Sequence, residues 1–389
     1  MVSLGIEELL KSPPPYLKGI RLGLLCNQAS TDRNLVHSRH LIEQAFPGQL
    51  TCLLSPQHGF FADKQDNMLE SEHTVDASGL PIFSLYSKTR EPQPEMLDLF
   101  DLLLVDLVDV GTRVYTFLYT VANCLKAAAE HGKRVVLLDR PNPLGGLQIE
   151  GNLLRPSCRS FVGMYPIPMR HGLTLGELAK LINDHLGAVS IHADLKVIPM
   201  GGWHRQHYFI DTGLPWLFPS PNMPTPATAL VYPGQVIWEG TNISEGRGTA
   251  LPFELFGAPF INQHDLQTRA GRLKGCFLRP VAFEPTSNKW AGKQCAGFQL
   301  HVIDRLTFRP YATALTLLQA FMQLYPNDFQ YKEPPYEYEY ERLPLDLILG
   351  DTGVRTALEQ GTPILELEKT WQEELEEFDA LRRQVFLYD

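Results

Sequence analysis

Two glutamates and an arginine occur close together in the glycine-rich stretch WEGTNISEGRGT. Glu239 and Glu245 are six residues apart, and Arg247 follows the second of them. Glycines permit tight turns and a close approach to a ligand. An arginine can lower the pKa of one carboxylate, while burial away from water raises the pKa of the other. Acid/base catalysis on a glycosidic bond requires two carboxyl groups whose pKa values differ in this way. The pattern also fits a structural alternative, a glycine-rich turn held by a Glu–Arg ion pair.

The loop SPQHGFFADKQDNMLES adds His58 and Glu70 as candidate catalytic residues. His58, Asp66 and Glu70 are chemically able to bind a metal, but the lysine and glutamine between them give no ligand pattern. The six cysteines include no CxxC pair, so a zinc site is not predicted either. We therefore predict no metal site, and the structural alternative for this loop is an exposed flap.

Polar side chains follow the carboxyl ends of the strands predicted in the first half of the chain. Ligands of open parallel sheets bind beyond these strand ends, and several polar groups on one edge suit a polyhydroxylated ligand. Each residue alone also fits a structural role, such as a helix cap or a strand-end hydrogen bond. The candidate substrate-binding residues of this group are Asn27, Gln57, Asp109, Arg113, Tyr115, Asp139, Arg140 and Asn142.

Further candidates for substrate binding come from the Pro- and Gly-rich loops of the second half. His171 precedes a predicted helix start and suits either proton transfer or a hydrogen bond to a sugar, although a lone histidine at a helix start is as often structural. Asn222, near a tryptophan in PWLFPSPNMPT, suits binding of an N-acetyl group, although this composition equally suits core packing. Asn242 and Arg247 complete the set, within the glycine-rich loop.

These residues require a scaffold, and the hydrophobic pattern predicts one. Buried apolar runs such as GIRLGLLCN, DLLLVDLVD and KRVVLLDRPNP alternate with helical segments, which indicates a parallel sheet covered on both faces. Downstream, Thr174 and Glu177 have the spacing of a capping box. We predict an α/β fold in which residues 1–150 form a Rossmann-like lobe and residues 151–389 form an α+β lobe, with a cleft between them.

Missing motifs and overall composition narrow the function further. The chain lacks GxGxxG after its first strand and a P-loop, so no nucleotide cofactor is predicted. It also lacks GxSxG, the usual signature of an α/β hydrolase. Its net charge of −10 and the absence of a basic run argue against nucleic acid as a partner. No apolar run is long enough to span a membrane, and the N-terminus lacks a signal-peptide pattern, so we expect a cytoplasmic protein. The oligomeric state is left open.

Several longer strings carry a family resemblance. They include SPQHGF, DLVDVGTRVYTF, LDRPNPLGG, MYPIPMRHGLTLGEL, GLPWLFPSPNMPT and ALVYPGQVIWEGTNISEGRGTALPFELFGAP. In these strings the sequence resembles the exo-β-N-acetylmuramidase (NamZ-like) family of peptidoglycan hexosaminidases, formerly a family of unknown function. The resemblance implies a Rossmann-like lobe, a second lobe and a cleft between them. It also implies release of terminal N-acetylmuramic acid from peptidoglycan fragments, a step of cell-wall recycling.

One position departs from the family pattern. The pattern reads S-P-E-H-G, and its glutamate is a candidate catalytic carboxylate, whereas this chain has Gln57. An amide cannot act as a general acid or base. Either another carboxylate serves, such as Glu70 or Glu239, or the chain is a sugar-binding protein without this catalysis. We predict that Glu239 or Glu245 is essential, with Arg247 holding the pair in place.

Overall fold

The computed structural model describes residues 1–65, 68–87, 89–186 and 192–389. Asp66, considered above as a metal ligand, lies outside the described residues. The strands are β1 Leu22–Cys26, β2 Leu50–Ser55, β3 Thr74–Val75, β4 Pro81–Ser84, β5 Leu102–Asp106, β6 Arg134–Leu138, β7 Glu150–Leu153, β8 Pro168–Arg170, β9 Asp194–Ile198, β10 Leu255–Ala258, β11 Cys276–Phe283 and β12 Cys295–Val302. The α-helices are α1 Gly5–Lys11, α2 Ser38–Ala45, α3 Pro94–Leu97, α4 Phe117–Glu130, α5 Leu175–Leu181, α6 Pro226–Gln235, α7 Gln263–Ala270, α8 Pro310–Leu324, α9 Pro344–Leu349, α10 Thr352–Glu359, α11 Ile364–Lys369 and α12 Gln372–Arg382.

A parallel sheet forms the first half of the molecule, as predicted. In the described part of the chain its order is β3-β4-β2-β1-β5-β6-β9, and only β3 pairs antiparallel. Side chains alternate across a strand, so Leu103 and Val105 of β5 join the core beneath α4 and α5, whereas Leu102 and Leu104 join the core beneath α1 and α2. Both faces are therefore covered, which explains the continuous apolar runs.

The second half of the chain is built around an antiparallel sheet. Its order is β10-β12-β11, α6 and α7 contact β12, and α8 packs against α6. Phe256 and Phe298 of this sheet belong to the same apolar core as Leu103 and Val105 of the parallel sheet. The α/β class with a second α+β region is thus confirmed, and one continuous core joins the two regions.

The parallel sheet continues past residue 150. Its edge strand β9 pairs with β6, with Arg134 opposite Asp194, so the chain returns to this sheet after the predicted end of the first lobe. The chain leaves the sheet in between through the two-stranded pair β7 and β8. The division at residue 150 stays a prediction. Among the described residues, we find no helix that is both apolar enough and long enough to cross a bilayer.

The predicted capping box at the start of α5 is confirmed. Thr174 Oγ1 accepts from the Glu177 backbone N–H at 3.2 Å, and the Glu177 carboxylate accepts from the Thr174 N–H at 3.0 Å. This reciprocal pair satisfies two N–H groups that have no partner within the helix. Thr174 Oγ1 also donates to Asp139 at 2.7 Å, so the cap fixes the start of α5 at the carboxyl end of β6.

Candidate active site

The glycine-rich loop leaves α6 through a tight turn that is anchored by Trp238. This side chain is fully buried and packs against Phe256 and Phe321, with ring centroids 5.5 and 5.4 Å away. Its indole N–H donates to Gln235 at 2.8 Å. A Cβ on Gly240 would lie 2.6 Å from the backbone of Leu345, so glycine is required for this close approach. Glu239, between Trp238 and Gly240, is thereby held in a fixed position.

Arg247 joins the two loop glutamates, as the sequence suggested. Its Nη2 donates to Glu239 at 2.6 Å, and its Nε lies 3.2 Å from Glu245. Tyr336 donates its hydroxyl proton to the other Glu239 oxygen at 2.7 Å. Lys289 Nζ contacts Glu245 at 2.7 Å. The result is a chain of alternating charges in which both carboxylates are almost completely buried.

The pKa values in this cluster follow from burial and from these partners. Burial alone would raise the pKa of Glu239, but the charge and hydrogen bond of Arg247, with the Tyr336 hydroxyl, bring it below its ordinary value. Burial works against the charge of Arg247, yet the two glutamates raise its pKa. Glu239 is therefore ionised at neutral pH, which suits it to stabilise positive charge rather than to donate a proton.

A third buried carboxyl group, which the sequence analysis did not select, lies opposite Gln57. Glu337 Oε1 accepts from Gln57 Nε2 at 2.9 Å, and Glu337 Oε2 accepts from the Tyr86 hydroxyl at 2.5 Å. Gln57 Oε1 accepts in turn from Thr116 Oγ1 at 2.5 Å. Gln57, Tyr86 and Glu337 are each at most 5% exposed. The position that departs from the family pattern therefore touches a carboxyl group from the other end of the chain.

Glu337 has the opposite pKa shift to Glu239. Burial is the main cause and the negative charge of Glu239 adds to it, so the pKa of Glu337 rises to about 7 even though Tyr86 and Gln57 donate to it. Its two hydrogen-bond donors are neutral, whereas Glu239 has a guanidinium partner. The site thus combines one carboxylate held ionised with one carboxyl group that is close to half-protonated at neutral pH.

The segment Tyr336–Tyr338 carries three side chains into the cluster. Tyr336 contacts Glu239, Glu337 contacts Gln57 and Tyr86, and Tyr338 donates to the Met68 backbone oxygen at 3.1 Å. Glu337 and Tyr338 have φ values of 49° and 65°, in the left-handed region that side chains other than glycine rarely adopt. The alternation of tyrosine and glutamate in PPYEYEYER is the sequence signal that could have revealed this segment.

Four of the predicted strand-end residues form contacts within the protein, two with backbone oxygens and two with other side chains. Asn27 Nδ2 donates to the Pro219 oxygen at 2.8 Å, and Asn142 Nδ2 donates to the Leu173 oxygen at 2.9 Å. Arg140 forms a buried ion pair with Asp106 of β5 at 2.5 Å. Asp139 accepts from the Tyr388 hydroxyl at 2.6 Å as well as from Thr174. Burial raises the pKa of Asp139 to about 6, against these hydrogen bonds.

Arg113 and Tyr115 lie in the core between the two regions. Both Nη atoms of Arg113 donate to backbone oxygens, including Asn152 at 2.7 Å and Leu349 at 2.7 Å. Burial lowers the pKa of this guanidinium. The Tyr115 ring stands perpendicular to that of Tyr232 at 6.1 Å between centroids, and Tyr232 packs in the same way on Phe253 beside Arg247. Tyr115 is therefore connected to the carboxylate cluster through aromatic contacts.

Asp109 and His171 form a buried pair. His171 Nε2 lies 3.4 Å from Asp109 Oδ2, which also accepts from the Gly111 N–H at 2.6 Å. The Leu173 N–H donates to His171 Nδ1 at 3.2 Å, so Nε2 is the nitrogen that carries the proton in neutral imidazole. Both side chains are fully or almost fully buried.

The remaining candidates are distributed around the loops. Asn222 Nδ2 and Arg247 Nη1 both approach the Gln65 oxygen at 3.5 Å, so the His58 loop and the glycine-rich loop face each other. The imidazole of His58 contacts the Lys64 oxygen at 2.7 Å. Asn242 Nδ2 donates to the Asp328 oxygen at 2.7 Å and ties the loop to the following region. Glu70 is exposed.

Within residues 1–65, 68–87, 89–186 and 192–389, no group of three or more His, Cys, Asp or Glu side chains is arranged to hold a metal ion. The partners of the buried carboxyl groups described above are hydroxyls, an amide, a guanidinium and an ammonium group. These partners are suited to proton transfer and to charge stabilisation.

Two family models match almost the entire chain. They are the exo-β-N-acetylmuramidase NamZ N-terminal model, over residues 22–227, and the corresponding C-terminal model, over residues 230–388. The chain belongs to the NamZ family. The resemblance found in the sequence is thus confirmed.

Known relatives agree with this membership of the NamZ family. Peptidoglycan β-N-acetylmuramidase NamZ from Bacillus subtilis (strain 168) is 41% identical over 389 residues, covering all of this chain and 91% of the relative. Crystal structures of two DUF1343 family proteins from Bacteroides fragilis NCTC 9343 match with TM-scores of 0.90 and 0.78, at 32% and 29% identity. Each match covers all of this chain and 99% of the solved chain.

Proposed function

We propose that this chain is an exo-acting β-N-acetylmuramidase, a glycoside hydrolase that releases terminal N-acetylmuramic acid from peptidoglycan fragments. The observation that carries the proposal is the buried, ionised Glu239 in contact with Arg247 and Tyr336. Cleavage of a glycosidic bond passes through an oxocarbenium-like state. A fixed carboxylate in a water-poor site stabilises the positive charge that develops on the sugar ring. The full-length similarity to a peptidoglycan β-N-acetylmuramidase supports the choice of sugar.

The substrate-binding roles of the loop residues are part of the same proposal. Asn222, His58 and Arg247 lie where the two facing loops approach each other. An amide and an imidazole there suit hydrogen bonds to the N-acetyl group and the hydroxyls of a sugar. The family match favours an enzyme over the sugar-binding alternative raised by Gln57.

We also propose that the enzyme works in the cytoplasm on internalised peptidoglycan fragments. All six cysteines are free thiols and all are buried. Burial raises the pKa of several of them, including Cys124 and Cys276, so they remain in the unreactive thiol form. Free buried thiols suit a reducing compartment. Fractionation of cells that express the native gene, followed by immunoblotting, tests this part of the proposal.

The test of the activity compares two chromogenic substrates. The 4-nitrophenyl β-glycosides of N-acetylmuramic acid and of N-acetylglucosamine differ by the lactyl group alone. We expect the enzyme to release more nitrophenol from the muramic acid glycoside than from the glucosaminide. We also expect it to release N-acetylmuramic acid from the β-1,4-linked disaccharide that has this sugar at its non-reducing end and N-acetylglucosamine at the other. Hydrolysis of the glucosaminide alone would assign another hexosaminidase, and binding of the disaccharide without cleavage would favour the sugar-binding alternative.

A further inference from the structure

We propose that Glu337 is the general acid of this enzyme and supplies the proton that the Gln57 amide cannot. The inference rests on the proposed glycosidase function and assigns a catalytic role to a residue outside the SPQHG and EGTNISEGRGT motifs. Three independent features support it: the contact with Gln57, the contrast with Glu239, and the backbone that presents the side chain.

The contact with Gln57 places Glu337 beside the position where the family pattern has a glutamate. Thr116 donates to Gln57 Oε1, which leaves the amide nitrogen to face Glu337 at 2.9 Å. The carboxyl group of Glu337 therefore lies within one hydrogen bond of position 57, where the family pattern has a glutamate and this chain has an amide. A glutamate at position 57 would place two carboxyl groups in contact, and such a pair shares one proton. With Gln57, the only acidic proton of the pair belongs to Glu337.

The contrast with Glu239 separates the two chemical tasks. Glu239 has the cation Arg247 as its hydrogen-bond partner, whereas the hydrogen bonds that Glu337 receives from described residues come from an amide and a phenol. The charge of Arg90 also lowers the pKa of Glu337, but burial outweighs it. Burial keeps the pKa of Glu337 near 7, where an acid is strong enough to donate and still holds its proton in about half of the molecules. Tyr86 O–H can rotate away or accept, so protonation of Glu337 does not leave a buried proton without a partner.

The backbone at Glu337 is the third feature. Two consecutive residues, Glu337 and Tyr338, adopt left-handed conformations that cost on the order of 1–3 kcal/mol each when the residue is not glycine. The Tyr336 N–H and O groups bond to Glu339 across this turn, at 2.9 and 3.0 Å. Strain of this kind persists where the surrounding structure enforces it, and it is frequent at active sites.

The carboxyl proton of Glu337 passes to the glycosidic oxygen while the bond between that oxygen and the anomeric carbon breaks. The electron pair of this bond leaves with the oxygen, so the remaining fragment departs as an alcohol and Glu337 becomes a carboxylate. Glu239 stabilises the oxocarbenium-like sugar by its negative charge. Water adds its oxygen to the anomeric carbon, and the proton that water releases restores the acid form of Glu337.

The test uses Glu337→Gln and two leaving groups in the full-length enzyme. Loss of a general acid slows cleavage only of substrates whose leaving oxygen needs a proton. We expect kcat on the disaccharide of N-acetylmuramic acid and N-acetylglucosamine to fall by ~10²–10⁴-fold. The 2,4-dinitrophenyl glycoside, whose phenolate leaves unaided, should lose less than about 10-fold by the same principle. The matched control is Glu341→Gln, an exposed glutamate on the same segment, which should leave both rates unchanged.

A second test uses the double variant Gln57→Glu with Glu337→Gln, which exchanges the two side chains. It moves the acid back to position 57, so it should recover activity on the disaccharide relative to Glu337→Gln alone. Equal loss on both leaving groups with no recovery in the double variant would make Glu337 a structural residue, and full activity of Glu337→Gln would assign the proton elsewhere. A wild-type enzyme that cleaves none of these glycosides overturns the proposed function itself, and the role of Glu337 fails with it.

Discussion

Two buried carboxyl groups of this site are similar in depth but opposite in chemistry. Glu239 and Glu337 are each 5% exposed, and both accept a hydrogen bond from a tyrosine hydroxyl. They differ in a second hydrogen-bond partner, which is the guanidinium of Arg247 for Glu239 and the amide of Gln57 for Glu337. The pKa of Glu239 is lowered and that of Glu337 is raised to about 7.

Burial alone does not decide the protonation of a carboxyl group in this site. Burial is the largest influence on both residues and raises the pKa of each. For Glu239 the charge and hydrogen bond of Arg247, together with the Tyr336 hydroxyl and the charge of Lys332, reverse that direction. One site thereby holds an ionised carboxylate and a carboxyl group of raised pKa, and the negative charge of the first helps the second to retain its proton.

The largest effect is expected from Glu239→Gln, which removes the ionised carboxylate of the pair. The charge that stabilises the oxocarbenium-like state is lost, so kcat should fall by ~10²–10⁴-fold on the disaccharide and on activated substrates alike. This independence of the leaving group separates Glu239 from Glu337. Arg247 keeps Glu245 as a partner, so the fold should persist.

Kinetics on both substrates, with circular dichroism to check folding, measures the effect of Glu239→Gln. Glu70→Gln is the control at the rival carboxylate, which is exposed. Full activity of Glu239→Gln together with an inactive Glu70→Gln would place the catalytic carboxylate in the SPQHG loop instead.

A smaller effect, on stability rather than on the reaction, is expected from Glu245→Gln. Lys289 Nζ is bound by Glu245 and by the backbone oxygens of Trp238 and Ile243, at 2.6–2.9 Å. Burial lowers the pKa of this lysine, and the glutamate opposes that shift. Removing one partner of a buried ion pair leaves the other charge uncompensated, which costs about 3–5 kcal/mol of unfolding free energy.

Urea denaturation measures the change in Glu245→Gln, and the double variant with Lys289→Met tests its cause. Because the double variant leaves no unpaired charge, it should be more stable than Glu245→Gln alone. Lys274→Met, at an exposed position, is the control for the loss of a lysine. A Glu245→Gln protein as stable as wild type but inactive would instead place Glu245 among the catalytic residues.

The scaffold was predictable from the sequence because it depends on local patterns. The apolar runs of β1, β5 and β6 and the capping box at Thr174 each act within a few residues, and the loop pair Glu239–Arg247 is only eight residues apart. Glu337 was not found because its partners Gln57 and Tyr86 are 280 and 251 residues away in the chain. No spacing rule connects such distant positions.

For the strand-end residues, the sequence does not indicate which group each side chain contacts. A polar residue after a strand in this sheet looks the same whether it faces a ligand or a backbone carbonyl. Asn27 and Asn142 bond to backbone oxygens of later loops, and those loops could not be placed from the sequence. The substrate-binding roles predicted for these two residues remain predictions.

The smallest effect is expected from Tyr86→Phe, which alters the proton affinity of Glu337 without removing the acid. The hydroxyl donates to Glu337 and so favours its ionised form. Its loss should raise the pKa of Glu337 above about 7, and the alkaline limb of kcat/KM should move to higher pH because the acid form survives longer. The ring remains, so Arg90, 3.8 Å above it, keeps its contact. Tyr338→Phe is the matched control, since that hydroxyl donates to Met68 and its removal should leave the limb in place. A limb that shifts equally in both variants, or moves to lower pH in Tyr86→Phe, would show that a group other than Glu337 sets it.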